Sequence, residues 1–297
     1  MRLKTSIIIF LLFSCFGNAQ NSKKSARLKF TKSILLNEKI KETSGLIFWN
    51  NKLWTHNDDT DTNLYALDTI SGTILESYSL LGVTNTDWEE IAQDENYIYI
   101  GDFGNNTSGN RKDLRILRID KISLLNKTPK VDYINFGYEN QNDFDNKKPN
   151  KTNFDCEAFV ITQDSIFLFT KEWKTKKTTL YKLPKIPGNY EAEKKVIFNT
   201  KGLVTGACLF ENKLALCGYT KKGKPFVDLF YDFNDSNFFS GKHIKVKLKS
   251  RFSQIEAITS QDGLHYFLTN EQFKIPLVNI PQQINLLDLR KILNDLK

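Results

Sequence analysis

The feature that most constrains the fold is a two-strand pattern that occurs five times along the chain. Each copy has an acidic or hydroxyl residue, a small or apolar strand, a polar turn, an aromatic or β-branched strand and a polar exit. Because apolar and polar residues alternate with period two, each copy predicts a β-hairpin and not a helix. The copies span residues 42–59, 89–106, 157–173, 205–220 and 256–271.

The spacing of the five copies is typical of a β-propeller. Successive copies begin 47, 68, 48 and 51 residues apart, and a four-stranded propeller blade occupies about 40–45 residues. The one long interval contains residues 138–153, which are rich in Asn and Lys and lack apolar periodicity, so we interpret them as an inserted surface loop. The sequence therefore predicts an all-β propeller of five four-stranded blades, or six if this interval contains a degenerate blade.

Outer blade strands can also be assigned for the first four hairpins. They are predicted at residues 63–67 and 74–80, 114–119 and 131–136, 179–183 and 193–198, and 225–231 and 243–248. The fifth hairpin is followed only by a short candidate at 275–280 and by residues 284–297, whose apolar spacing looks helical. Residues 28–36 would supply its missing strand and close the ring, which removes exposed sheet edges.

The N-terminal residues 1–19 predict a signal peptide. A basic start, an apolar run over residues 7–13 and small residues before a cleavage point after Ala19 are the three parts of such a leader. Cys15 also fits a bacterial lipoprotein site, although the ordinary cleavage site is favoured. We therefore interpret residues 20–297 as one propeller domain that is exported to the periplasm, the medium or the cell surface. No later apolar run approaches the ~20 residues that span a bilayer.

The chain is basic, with a net charge of +8 at neutral pH. Its lysines form short clusters in predicted loops, at residues 23–24, 147–148, 174–177 and 221–224. This scatter favours a generally solvated basic surface over one specific patch, so we expect no nucleic-acid partner. We also expect a monomeric protein.

The cysteines of the mature chain form neither a zinc-ligand set nor a disulfide scaffold. If Asn212 and Lys213 make a two-residue turn, Cys208 faces Cys217 across the fourth hairpin. Export would permit a disulfide between them, and two buried free thiols are the alternative.

The polar ends of the five hairpins should meet on one axial face, because the first strand of every blade lines the central channel. Oxygen donors from several loops suit Ca²⁺, which takes about six to eight of them. The candidate metal ligands are Glu42, Asp58, Glu89, Asp102, Glu256 and Glu271. The candidate ligand-binding residues are Asn57, Asn105, Lys171, Glu172 and Asn270. The alternative is that these side chains cap strands and form hydrogen bonds to neighbouring blades, without binding a metal.

Two residues are candidate general bases, namely His56 at the first hairpin exit and Glu157 at the start of the third hairpin. The sequence contains no nucleophile elbow, no phosphate-binding loop and no His-Glu-x-x-His motif. Three functions stay open. They are a calcium-stabilised propeller that binds a ligand or partner on its axial face, a metal-dependent hydrolase, and a cell-surface scaffold.

Four motifs resemble, in the same order, the WTHND, DWEDIA, YVGDxGDN and EAL patterns of a family of secreted bacterial β-propeller proteins. They are residues 54–58 (WTHND), 87–92 (DWEEIA), 99–106 (YIGDFGNN) and 156–159 (CEAF). The family is distantly similar to phytase-esterase-like propellers and to the calcium-binding gluconolactonase and regucalcin group. The resemblance implies a propeller over nearly the whole mature chain, and its distant relatives imply metal-assisted hydrolysis of esters, lactones or phosphoesters.

The chain departs from the family patterns at three places. Glu90 replaces the usual Asp, and Asn105 replaces the second Asp of its motif. The fourth hairpin begins with Thr205 and Gly206, which supply no carboxylate. These departures bear on any inherited catalytic role more than on the fold.

Overall fold

The computed structural model describes residues 24–145, 148–250, 253–276 and 278–294, and most of them belong to β-strands. β1 (Lys24–Leu28) and β2 (Lys32–Leu35) come first. The first four-stranded group is β3 (Thr43–Trp49), β4 (Lys52–Asn57), β5 (Asn63–Leu67) and β6 (Ile74–Ser79). The second is β7 (Trp88–Gln93), β8 (Tyr97–Asp102), β9 (Arg115–Asp120) and β10 (Val131–Tyr138), with a short helix α1 (Lys121–Leu125) before β10.

The remaining strands continue this order. The third group is β11 (Cys156–Ile161), β12 (Ser165–Thr170), β13 (Thr178–Pro184) and β14 (Gly188–Phe198). The fourth is β15 (Leu203–Phe210), β16 (Lys213–Tyr219), β17 (Pro225–Tyr231) and β18 (Lys242–Leu248). Then come β19 (Ile255–Ser260), β20 (His265–Asn270), a small hairpin of β21 (Phe273–Ile275) and β22 (Val278–Ile280), β23 (Gln283–Asp288) and α2 (Arg290–Asn294).

The inner strands of the groups form a ring. β3 contacts β7, β7 contacts β11, β11 contacts β15, β15 contacts β19, and β19 contacts β3 again. Each group is antiparallel and has its first strand at the centre, as in a propeller blade. The prediction of an all-β propeller is therefore confirmed.

The fifth blade joins the two ends of the chain. It has the strand order β19, β20, β23, β2, and its last pair runs from Lys32 opposite Leu286 to Leu35 opposite Gln283. Closure of the ring by an N-terminal strand is thus present as predicted. Residues 24–36 precede the first blade in sequence, so closure depends on a contact between residues more than 240 positions apart.

The prediction for the strands of the fifth blade is wrong at two points. Ile275 and residues 278–280 do not form the third strand, because they belong to the small hairpin β21–β22. That strand is β23, which overlaps residues 284–297, for which the sequence predicted a helix. Within the described part of that segment, Arg290–Asn294 form the helix α2. The apolar residues in β23 fit both periods, and pairing with β20 on one side and β2 on the other selects the extended form.

Two parallel pairings lie at outer blade edges and were not predicted. β1 adds to β18 as a fifth strand of the fourth blade, and β10 pairs with β14, which joins the second and third blades. Both pairings cover outer edges that would otherwise be open to other chains.

A β-bulge interrupts the start of every inner strand. In the last four blades the shift in register falls at Glu89, Glu157, Thr205 and Glu256, and in the first it falls within residues 45–46. A bulged residue leaves the ladder, and its side chain is aimed in a new direction. This repeated irregularity is the local reason why side chains from different blades converge at one end of the channel.

The cysteine pairing across the fourth hairpin is absent. Phe210 pairs with Lys213, so the turn is one residue earlier than expected, and Cys208 faces Ala215 while Cys217 faces Gly206. The three cysteines of the described residues are free thiols. The disulfide alternative is therefore wrong.

The predicted leader, including Cys15, lies outside the described residues, so export and the division of the chain stay predictions. Within the ranges that the structure describes, no helix is long and apolar enough to cross a membrane.

Candidate metal centre on the axial face

An acidic pocket of about 300 Å³ opens where the inner strands begin. Among its described lining residues, six carry carboxylates and one, Lys171, carries a positive charge. The carboxylates are those of Glu42, Asp58, Glu89, Glu157, Glu256 and Glu271. The structure therefore brings together five predicted metal ligands, the predicted base Glu157 and the predicted ligand-binding residue Lys171.

A cluster of three buried carboxylates, Glu89, Asp155 and Glu157, adjoins the pocket, and Glu89 and Glu157 also line it. One oxygen of each lies within 4.8 Å of the others. Lys171 Nζ lies 2.7 Å from Glu157 Oε1. Asp155 accepts hydrogen bonds of 2.6 Å from the Asn105 backbone N–H and from Trp173 Nε1. One lysine thus faces three acidic groups.

The electrostatics of the cluster follow from burial and like charge. Burial, and then the neighbouring Glu157, raises the pKa of Glu89 well above its ordinary value. The same two causes raise the pKa of Asp155 to about 8. Asp87, two residues before Glu89, has a pKa of about 6 because of burial and of nearby Asp155. At neutral pH the cluster must therefore hold a proton or gain a cation.

A second acidic group comes from the first blade. Oxygens of Glu42, Asp58 and Asp59 lie within 4.8 Å of one another. Glu42 Oε2 and Asp58 Oδ1 are buried and have no hydrogen-bond partner among the described residues. Burial, followed by the charge of Asp59, raises the pKa of Asp58 to about 8. Buried carboxylate oxygens without donors are groups that a bound cation would satisfy.

The fifth blade contributes Glu256 and Glu271. Gln254 Nε2 donates a hydrogen bond of 2.6 Å to Glu271 Oε1. Burial raises the pKa of both glutamates, and Glu271 adds to the effect on Glu256. The pocket thus offers carboxylate oxygens from the first, second, third and fifth blades, besides the first-strand hydroxyl of Ser44.

Three predicted site residues end the second strand of their blades and do not line the pocket. Asn57 donates to Lys39 O and to Asp61 Oδ2, both at 2.9 Å. Asp102 is paired with two arginines, Arg111 at 3.0 Å and Arg115 at 2.9 Å. Asn270 donates to Pro281 O and accepts from Asn285, both at 2.9 Å. These contacts hold blades and loops together.

Three other predicted residues also lie outside the pocket. His56 is fully buried against Trp88, and burial lowers its pKa to about 4. Asn105 donates to Phe154 O at 2.9 Å, and Glu172 accepts from the hydroxyl of Thr179 at 2.5 Å. The geometry therefore gives no support to His56 as the base.

Strand alternation explains which exit residues reach the pocket. Asn57, Asp102 and Asn270 are the last strand residues, whereas the pocket residues Asp58 and Glu271 come one position later. Because successive side chains of a strand point to opposite faces, one position decides between the axis and the blade interior.

The sequence interpretation missed Asp155 and Gln254. Each lies two residues before a bulged glutamate, as Asp87 does in the second blade. An acidic residue or amide followed two positions later by Glu places both side chains on one face of a strand. This spacing was the available signal.

The inserted loop also reaches the site. Pro149 and Asn150 line the pocket beside Asn106 and Thr107. The backbone N–H of Asn150 donates to Asn106 O at 2.8 Å. The loop therefore covers part of the axial face and does not merely extend from the surface.

Glu90 closes the channel beneath the pocket. Four blades have Gly or Ala at the corresponding position, whereas the second blade has this fully buried glutamate. Its Oε2 accepts from the backbone N–H of Ala207 at 2.8 Å, and its Oε1 accepts from that of Ile91 at 3.0 Å. Glu90 thus links the second and fourth blades across the axis, and its partners Ile91 and Ala207 line a further cavity of about 110 Å³.

Comparison with known proteins supports the fold. No family model matches the chain, and no curated protein matches it. Among solved structures, an exo-β-1,3-galactanase from Phanerochaete chrysosporium in complex with galactose is similar with a TM-score of 0.54 and 8% identity over 88% of this chain. A variant of that enzyme with β-1,3-galactotriose gives a TM-score of 0.53 and 8% identity over 89% of this chain.

This chain spans 65% of the galactanase chain. An oxidoreductase (glucose dehydrogenase) from Thermus thermophilus has a TM-score of 0.47 and 10% identity, and the match covers 86% of this chain and 99% of that one. At such identities the galactanase similarity shows a propeller-type fold and no more.

Proposed function

We propose that this chain is an exported propeller that binds a divalent cation in the axial pocket and uses the same face to bind a ligand or partner. The observation that carries the proposal is the buried cluster of Glu89, Asp155 and Glu157, whose oxygens lie within 4.8 Å of one another. A cation would offset the repulsion that one lysine leaves uncompensated.

Calcium fits the donor set best. The described lining residues of the pocket offer carboxylate, amide and hydroxyl oxygens and neither histidine nor cysteine, which zinc would favour. Ca²⁺ accepts six to eight oxygens in flexible geometry, whereas Mg²⁺ demands a near-ideal octahedron. Donors spread over four blades favour the more adaptable ion.

The sequence supports the extracellular part of the proposal. The N-terminal leader predicts export, and four motifs resemble those of secreted bacterial propellers. The departure from the family at Glu90 does not alter the donor set, because Glu90 is bonded to backbone amides beneath the pocket.

Calcium titration of chelator-treated protein tests the proposal. We expect a measurable heat of calcium binding by calorimetry. We also expect a rise in melting temperature, because a ligand at a hundred times its Kd raises the free energy of unfolding by about 2.7 kcal/mol. Glu89→Gln should weaken binding at least about tenfold, which corresponds to about 1.4 kcal/mol. Asp132→Asn is the matched control, because Asp132 forms an exposed ion pair with Arg118. The proposal is refuted if no divalent cation gives either a heat of binding or a rise in melting temperature.

A second candidate function is hydrolysis. Glu89 lies beside Glu157, which is paired with Lys171, and a pair of neighbouring carboxyl groups in unlike surroundings is typical of acid–base catalysis. A bound cation would add polarisation of a carbonyl or phosphoryl oxygen. Glu157→Gln should abolish turnover of lactone, ester or phosphoester substrates, whereas His56→Gln should retain it. The scaffold alternative predicts neither cation binding nor turnover.

A further inference from the structure

Two neighbouring grooves lead away from the axial pocket, and the smaller of them shares lining residues with both the pocket and the larger groove. Trp173, Tyr219 and Gln254 line both the pocket and a neighbouring groove of about 440 Å³. Thr220 lines this groove and also a larger one of about 740 Å³ on the fourth blade. We call the two grooves together the basic path.

The basic path has the opposite charge to the pocket. Lys176, Lys221 and Lys222 line the smaller groove. Arg27, Lys224, Lys247 and Lys249 line the larger one, together with Lys245, whose charge is paired with the buried Asp228 at 2.8 Å. Among the described residues that line the two grooves, none is acidic. The lysines that appear scattered in the sequence therefore meet on one side of the axis.

The backbone register brings two of these charges side by side. β1 pairs with β18 so that Arg27 stands opposite Lys247. Like charges in directly opposed positions destabilise a sheet. The fourth blade already has four strands without β1, so the pairing adds cations to a surface that is already basic. An anion between the two side chains would remove this cost.

The smaller groove shows the same crowding of positive charge. Burial, and then the charges of Lys221, Lys151 and Lys171, lowers the pKa of Lys176. Its Nζ donates to the Trp173 carbonyl at 2.6 Å and lies over the Trp173 ring at 5.4 Å. A second group of cations thus lies where the groove adjoins the pocket.

Aromatic rings line the path beside the cations. Trp173, Tyr219 and Phe273 line the smaller groove. Phe273 belongs to β21 of the small hairpin inserted in the fifth blade. Flat aromatic side chains of this kind can pack against the ring faces of a bound ligand, while the lysines contact its acidic substituents.

We propose that the basic path binds an acidic polysaccharide, with its anionic groups on the lysines and Arg27 and its sugar rings against the aromatic side chains. The predicted export favours a ligand found outside the cell over nucleic acid. The path extends the ligand-binding half of the proposed function, but its own cations do not require the axial metal.

Dextran sulfate, uncharged dextran and single-stranded DNA are the probes, at physiological ionic strength. We expect dextran sulfate to bind and dextran not to bind. Lys221→Gln/Lys222→Gln should weaken dextran sulfate binding at least about tenfold, since contacts to charged groups are the stronger hydrogen bonds. A second variant, Arg27→Gln/Lys247→Gln, tests the larger groove. Lys127→Gln/Lys130→Gln removes the same charge near α1 and should retain affinity.

Each outcome decides the proposal. An equal loss in all three double variants would show that total charge alone is responsible and would overturn it. Tighter binding of DNA than of dextran sulfate would overturn it in favour of nucleic acid. Binding of dextran sulfate that persists in chelator supports the path independently of the calcium proposal. If the intact, folded protein binds no dextran sulfate either with calcium or with chelator, the basic path is refuted and the calcium proposal is not affected.

Discussion

The pH dependence of stability provides a direct test of the axial cluster. Asp155 has a native pKa of about 8, raised from the ordinary 3.8 by burial first and by Glu157 second. The folded protein therefore retains a proton that the unfolded chain has lost at neutral pH. The sign follows: this contribution to stability is fully present below pH 3.8 and is lost as the pH rises through about 8.

The expected magnitude is large enough to measure. Each retained proton changes the free energy of unfolding by about 1.4 kcal/mol per pH unit. Between pH 5 and pH 7, one such proton lowers the free energy of unfolding by about 3 kcal/mol. Asp58, with a pKa of about 8, acts in the same direction. For a domain of this size, about 3 kcal/mol corresponds to a fall of about 5 °C in melting temperature.

Thermal melts from pH 5 to pH 8, with chelator and with saturating calcium, are the assay. Calcium binds the ionised carboxylates, so its stabilising effect should grow with pH and should offset the loss seen in chelator. Glu89→Gln removes one source of repulsion. This variant should be more stable than wild type at pH 8 in chelator and should gain less from calcium.

Two results would contradict this reasoning. A melting temperature that stays constant from pH 5 to pH 7 in chelator would mean that the cluster does not retain protons. A calcium effect of equal size at pH 5 and pH 8 would mean that the ion binds elsewhere. A control variant at Asp132, which pairs with Arg118 on the surface, should follow the wild-type profile.

Three further results are expected. Asp102→Asn should lower the free energy of unfolding in urea by about 3 kcal/mol, because it leaves Arg111 and Arg115 without their buried partner, and calcium affinity should stay unchanged. Alkylation of the denatured, unreduced protein should label Cys208 and Cys217 fully, since both are free thiols, and mass spectrometry would reveal an unlabelled pair. Calcium and dextran sulfate should each raise the affinity of the other by one common factor, measured by calorimetry in both orders.

The hairpins could be predicted from the sequence because strand periodicity is a local property. The third strand of the fourth blade, β17 (Pro225–Tyr231), has the bounds that its apolar run indicates. The prediction for the fifth blade failed because Ile284, Leu287 and Leu289 are buried at a spacing that suits helix and strand alike. Pairing with β2, more than 240 residues earlier in the chain, resolves that ambiguity.

The site could be predicted only in part, because successive side chains of a strand point to opposite faces and a shift of one residue decides which of them face the axis. A β-bulge adds one residue and therefore changes which side chains face the axis. The bulges at Glu89, Glu157 and Glu256 leave no mark in the pattern of apolar residues. At the other end of the hairpin, strand alternation has the same effect: Asp102, the last residue of β8, was expected in the pocket, although it is paired with arginines inside the blade.

The distribution of charge could not be predicted because it depends on topology. Arg27 and Lys247 are far apart in the chain, and only the parallel pairing of β1 with β18 makes them neighbours. A net charge of +8 therefore conceals an acidic pocket beside a basic path. A polyanion attracted to the path would be repelled at the pocket unless a cation were bound there. The two proposals therefore support each other: bound calcium would neutralise the acidic pocket, so that one polyanion could contact both the pocket and the basic path.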